Sequence, residues 1–112
     1  MVQYQPHLDR TFAAIADPTR RRILELLGDG SATISELAEP FGMSLTGLKK
    51  HVGVLEGAGL VTTEKVGRER RCSLGTRGLE DARLWVVGYQ RMLEDRLDRF
   101  GELLEQTKGD PR

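Results

Sequence analysis

Between Thr33 and Gly59 the chain carries two helix-start signals separated by a Pro40-Phe41-Gly42 break, and this spacing constrains the fold more than any other feature. Thr33-Ile34-Ser35-Glu36 matches the S/T-x-x-E capping box, in which two side chains satisfy each other's free backbone donors. The helix it opens is short, with Leu37 and Ala38 before the break. Ser44 can cap a second helix, on which Leu45, Leu48, Val52 and Leu55 fall at helical spacing and read as the buried stripe. That helix ends near Ala58-Gly59. Two helices joined by a short glycine-containing turn form a helix-turn-helix.

The flanking segments extend the pattern. A helix from about Leu8 to Ala16 has Leu8, Phe12 and Ile15 on one side. Asp17-Pro18 pairs an N-cap residue with a proline at the first helical position, and Gly28-Asp29-Gly30 closes the helix that follows. After Gly59, Leu60 to Val66 turns β-branched, Gly67-Arg68 makes a turn, and Glu69 to Leu74 returns, which predicts a two-stranded hairpin. Thr76 can cap a last long helix reaching about Lys108. The expected fold is mainly α with a β-hairpin wing: a winged helix-turn-helix in one domain over 1–112, with the helix-turn-helix at about 33–59, the wing at about 60–75 and a terminal helix at about 76–108.

Charge points to one part of this frame. The 17 basic and 17 acidic residues cancel overall. Residues 43–77, however, carry Lys49, Lys50, Lys65, Arg68, Arg70, Arg71 and Arg77 against only Glu56, Glu64 and Glu69. A local basic zone on a helix-turn-helix is the electrostatic footprint of nucleic-acid binding. If the leucine stripe faces the core, Thr46, Gly47, Lys49, Lys50 and Gly53 face out. Lysine can donate to guanine, threonine can touch a thymine methyl, and glycine permits close approach. Ser44 can offer its hydroxyl to a phosphate. Strand alternation puts Arg68 and Arg70 on one face of the hairpin and Arg71 with Glu69 on the other. These arginines suit phosphate and minor-groove contacts, although charge on a hairpin edge also serves to block aggregation. His51 borders the outward face and fits either a phosphate contact or a brace between helices, the brace being favoured. Arg20, Arg21 and Arg22 oppose the dipole at their helix start, so each is expected to have an anionic partner.

Asp17-Pro18-Thr19-Arg20-Arg21-Arg22-Ile23-Leu24, Ile34-Ser35-Glu36-Leu37-Ala38, Met43-Ser44, His51-Val52, Val54-Leu55 and Ala58-Gly59-Leu60-Val61 together resemble the ArsR/SmtB family of bacterial winged-helix repressors, over about residues 8–75. Trp85, Tyr89, Arg96-Leu97-Asp98 and Phe100 resemble a subgroup without metal-sensing residues. The resemblance implies a repressor that binds operator DNA, often at its own promoter. Metal-sensing members place Cys-x-Cys on the first helix of the helix-turn-helix. Thr33 to Leu37 has no thiol there, and no histidine follows His51, so no metal and no cofactor are expected.

Trp85, Tyr89, Leu93, Leu97, Phe100 and Leu104 form an apolar stripe too long for so small a domain to cover. Pairing with a second copy around a two-fold axis, helped by Leu8 and Phe12, would bury it. The expected partners are therefore double-stranded DNA and a second copy, with an unidentified small-molecule effector left open. No phosphate loop, nucleophile elbow or paired-carboxylate cleft points to an enzyme. Cys72 lies in the returning strand. A half-buried structural thiol is the favoured reading, and a thiol activated by Arg70 and Arg71 is the alternative. The N-terminus lacks the features of a signal peptide, and a cytoplasmic location is expected. Two further alternatives stay open: a winged helix used only for protein contacts, and a redox- or ligand-responsive repressor.

Overall fold

The computed structural model describes residues 6–108. Its elements are α1 (Pro6–Ile15), α2 (Pro18–Leu27), β1 (Ala32–Thr33), α3 (Ile34–Ala38), a 3-10 turn (Glu39–Phe41), α4 (Leu45–Gly57), β2 (Val61–Val66), β3 (Glu69–Leu74) and α5 (Arg77–Lys108). The chain divides into two compact units, one ending at Ala82 and the other starting at Arg83, the latter being the remainder of α5 within the described residues.

Local chemistry accounts for the element boundaries. Asp17 is the N-cap of α2, its carboxylate accepting from the Arg20 amide at 3.0 Å, and Pro18 follows in the first turn. The Thr33 capping box is complete: the Glu36 amide donates to Thr33 Oγ1 at 3.1 Å, and the Thr33 amide donates to Glu36 Oε1 at 3.0 Å. Gly42 takes the left-handed conformation, φ +59°, that ends the 3-10 turn, so only a residue without a Cβ reverses the chain there without strain. Ser44 Oγ then accepts from the Gly47 amide at 3.1 Å to open α4.

The hairpin pairs Val66 with Glu69 across a Gly67-Arg68 loop. Gly67 has φ +65° and no non-glycine residue has positive φ among the described residues. That is the residue pattern of a two-residue loop with glycine at its first central position. The sheet also has a third strand that the sequence reading lacked. Ala32–Thr33 pairs with Cys72 and Arg71, giving the order β1-β3-β2. Two residues are too few to show alternation, and Thr33 serves the strand and the helix cap at once.

The core of the first unit gathers Ile23 and Leu27 of α2, Ile34 and Leu37 of α3, Leu48, Val52 and Leu55 of α4, and Val61 and Cys72 of the sheet. Leu45 departs from the expected stripe. It is 48% exposed, whereas Leu48, Val52 and Leu55 are at most 3% exposed. Leu45 stands in the first turn, rotated toward the hairpin side of α4, and the core begins one turn later.

Two of the three consecutive arginines find backbone carbonyls in place of the anionic partners expected of them. Arg20 Nε donates to Ala14 O at 2.8 Å and Nη2 to Ala13 O at 3.1 Å, while Arg21 Nη1 reaches Ile15 O and Ala16 O at 2.8 and 3.0 Å. These are the carbonyls at the C-terminal end of α1, the negative end of its dipole. Only Arg22 pairs with a carboxylate, that of Glu25 at 3.1 Å on the same helix. Arg20 Nη1 also lies 3.3 Å from His51 Nδ1, and Asp17 Oδ2 lies 4.0 Å from the same nitrogen. Thus α1, α2 and α4 meet at one polar junction.

A close approach joins the start of α5 to the end of α4. A Cβ on Gly78 would collide with the Ala58 carbonyl oxygen, and Gly78 O lies 3.4 Å from the buried Thr11 hydroxyl of α1. Gly78→Ala should therefore destabilise the fold by about 1–3 kcal/mol, the usual cost of forcing extra volume into a packed site. A urea midpoint unchanged from wild type would contradict this contact.

Hydrogen bonding from the Arg20 amide holds the Asp17 carboxyl below the ordinary carboxylate range; burial opposes it, and the Arg20 guanidinium and His51 add smaller lowering effects. A depressed folded-state pKa contributes stability that is fully present above the unfolded value, about 4, and is lost as pH falls through the folded value. Asn keeps the cap but removes the charge. Asp17→Asn should lower Tm at pH 7, and the gap to wild type should close as pH falls below about 4. Thermal unfolding across that range checks it, and a gap independent of pH would contradict the electrostatic account.

Candidate nucleic-acid interface

The buried face of α4 decides which of its side chains face outward. With Leu48, Val52 and Leu55 turned inward, Thr46, Lys50 and Gly53 lie on the opposite side and are exposed, and Lys49 points toward the hairpin side, also exposed. Nothing lies within 4 Å of a Cβ built on Gly53, so the middle of this face is open to close approach. Gly47 differs. A Cβ there would sit 3.2 Å from the Met43 side chain and 3.3 Å from Ser44 Oγ, so its missing side chain makes room for its own neighbours. The Ser44 hydroxyl accepts the Gly47 amide as a cap, which leaves its proton to be donated elsewhere.

His51 is half-buried against Arg20 and Asp17 and takes the bracing position between α2 and α4. The structure thus sets it apart from Thr46, Lys49 and Lys50.

The hairpin supplies the second wall. Alternation from the buried Cys72 puts Arg70 on the face turned toward α4, and cross-strand pairing adds Thr63 and Lys65 to that face. Arg71 lies on the other face, where its guanidinium reaches Ser31 Oγ at 3.0 Å and Ser31 O at 3.4 Å. Arg68 sits in the turn, exposed. Between α4 and the hairpin runs a groove of about 550 Å³, bordered by Leu45, Lys49, Gly53 and Glu56 on one side and Thr63, Lys65, Arg68 and Arg70 on the other. The sequence reading omitted Lys65 from the site, although its parity with Thr63 and its pairing to Arg70 place it there.

Glu56 and Glu69 bring two carboxylates into this groove beside its cations. Thr63 Oγ1 donates to Glu56 Oε2 at 2.7 Å, and Arg70 Nη1 donates to Thr63 Oγ1 at 3.0 Å. The chain of bonds ties α4 to both strands and engages Arg70, so Arg68 and Lys65 are the more available hairpin cations.

Cys72 is fully buried. Desolvation pushes its thiol up from the ordinary range, the Glu56 carboxylate adds to the effect, and Arg70 only partly opposes it. Burial outweighs the positive charge and disfavours the reactive thiolate, which favours the structural reading of Cys72 over activation by neighbouring arginines. Among the described residues, no group of three or more His, Cys, Asp or Glu side chains is gathered where an ion could be held, and no helix is long and apolar enough to cross a membrane.

The expected dimer residues fall into two sets. Leu8 is only 8% exposed in the single chain and has little surface left to offer, and Phe12 is half-buried. In the second unit, Trp85, Tyr89, Leu93, Leu97, Phe100 and Leu104 are all exposed, Leu97 most of all at 69%. Trp85 and Tyr89 stack with ring centroids 5.5 Å apart. Leu103, Met92 and Val86 widen the stripe beyond the expected positions.

Comparison with known proteins agrees with this architecture. A family model described as a helix-turn-helix domain matches residues 15–64. The transcriptional repressor SdpR of Bacillus subtilis is 34% identical over 73% of this chain and 91% of its own length. The HTH-type transcriptional regulator Rv2034 of Mycobacterium tuberculosis is 33% identical over 80% of this chain and 92% of its own. A crystal structure of an ArsR family transcriptional regulator superposes with a TM-score of 0.76 at 41% identity, covering 84% of this chain and 97% of that one. Near-complete coverage of such relatives, on a capped helix-turn-helix followed by a hairpin, shows that the chain belongs to the ArsR family of winged helix-turn-helix, DNA-binding transcriptional regulators.

Proposed function

We propose that the protein is a homodimeric repressor that binds a palindromic operator, its own promoter included. One observation carries the DNA contact: Lys49 and Gly53 of α4 and the hairpin cations Lys65 and Arg68 border a single groove, with Thr46 and Lys50 exposed on the adjoining face of α4. A recognition helix reads base edges mainly from its N-terminal turns. Thr46, Lys49 and Lys50 occupy those turns and are the base-reading residues, with Gly53 allowing the helix to lie close. Ser44 and Arg68 bind phosphate, and Lys65 adds to that attraction. Arg70 and Arg71 work through neighbours, Arg70 by stiffening the hairpin and Arg71 by holding the Ser31 loop. His51 and Gly47 set the position of α4.

The apolar stripe of α5 supports a second copy as the partner. Leu93, Leu97, Phe100 and Leu104 recur at helical spacing, and each is more than 40% exposed in the single chain. Contiguous apolar surface of this kind on a small protein marks an association site. A two-fold axis would bury it and present two recognition helices to half-sites one helical turn apart. Occupancy of a promoter by such a dimer excludes polymerase. The buried thiol, and the lack of a gathered ligand set among the described residues, favour an operator affinity that zinc, cadmium and mild oxidants leave unchanged.

Leu97→Asp should convert the dimer to monomer and abolish operator protection, as judged by light scattering and footprinting on DNA flanking the protein's own gene. A monomeric wild type that still protects a palindrome would contradict the assembly. Lys50→Ala should cost about 1–3 kcal/mol on the operator and relax base preference at one position per half-site. Arg68→Ala should weaken operator and random DNA alike, and flatten the slope of log K against log salt by about 0.9 per wing. Equal loss on all sequences for Lys50→Ala would make it a phosphate ligand instead.

A further inference from the structure

We infer that Leu45 is a specificity-determining residue whose side chain packs on a thymine methyl group in the major groove. The inference rests on the DNA-binding reading and adds an apolar contact to it. Leu45 is the first residue of α4, directly after the Ser44 cap, and is 48% exposed. It is absent from the partly buried side chains that pack on the core, a set that includes its neighbour Met43. Its surroundings on the helix surface are polar: Ser44, Thr46 and, one turn on, Lys49. It borders the groove whose opposite wall holds Lys65 and Arg68. A large apolar side chain therefore stands in the turn from which recognition helices reach base edges.

The major-groove edge of a base pair offers donors, acceptors and one apolar group, the C5-methyl of thymine. Leu45 has no hydrogen-bonding atom, so only that methyl gives it a favourable contact. Beside a cytosine amino group or a guanine carbonyl it would remove water without replacing the hydrogen bond. Lysines and threonine on the same face leave Leu45 as the residue that detects thymine by its methyl alone.

The test uses uracil, which pairs like thymine but lacks the methyl group. Operator duplexes defined by footprinting on DNA flanking the gene are made with each thymine replaced singly by uracil, and each is titrated with wild type, Leu45→Ala and Leu45→Met. For wild type, one position per half-site should weaken binding about fourfold, the value of one buried methyl-sized group, and about fifteenfold when both half-sites are changed. Leu45→Ala should lose that sensitivity while keeping the response to salt, and Leu45→Met should retain it. Uniform insensitivity of wild type to uracil, or retention of every sensitive position in Leu45→Ala, would overturn the inference and leave the DNA-binding reading intact. Absence of any protected sequence would overturn both.

Discussion

What this surface can do is set by which side of α4 is buried. Leu48, Val52 and Leu55 turn inward onto α2, α3 and the sheet, and the pitch of the helix then fixes Thr46, Lys50 and Gly53 on the outside without further choice. Three other features hold that orientation. The polar junction of Asp17, Arg20 and His51 fixes α4 against α2 and the last carbonyls of α1. Glu56 and Thr63 tie the outer flank of α4 to the hairpin. Gly78, lacking a side chain, lets α5 start against the end of α4. The helix proposed to read bases is thus held at its middle, its flank and its end.

Electrostatics follows the same logic of position over quantity. A chain with no net charge cannot attract DNA as a whole, yet the basic stretch from Lys49 to Arg71 lies where α4 and the hairpin meet. Not all of those cations are equally available. Arg70 and Arg71 donate to neighbours within the fold, and Arg20 and Arg21 are engaged by backbone carbonyls. Counting charges therefore overstates the number of phosphate contacts, and Arg68 and Lys65 stand out only once the hydrogen bonds are known.

Helix starts were the most legible part of the sequence, because a cap is a local arrangement of three or four residues. Asp17-Pro18, Thr33 with Glu36, and Ser44 each do what their spacing indicates. The hairpin was equally plain from its β-branched run and Gly67. What escaped depends on distant partners. Strand β1 exists because β3 lies beside it, and two residues carry no periodicity of their own. Leu45 has the spacing of a core residue but stands in the first turn, beyond the reach of the core. The arginines of α2 were expected to need anions, whereas the end of a neighbouring helix satisfies two of them. Cys72 reads as a half-buried strand residue in the sequence, and the core contacts that bury it fully come from distant elements.

Lysine acylation with and without operator DNA, kept to low extents of labelling, tests the central claim most directly, since it reads the surface of the unsubstituted protein. Lys49, Lys50 and Lys65 all border the face assigned to DNA. Mass spectrometry of the labelled protein should show all three protected by operator DNA relative to the free protein, Lys50 most strongly. Unchanged labelling of Lys49 and Lys50 under saturating operator would show that DNA binds elsewhere, and that the outward face of α4 is not the reading surface.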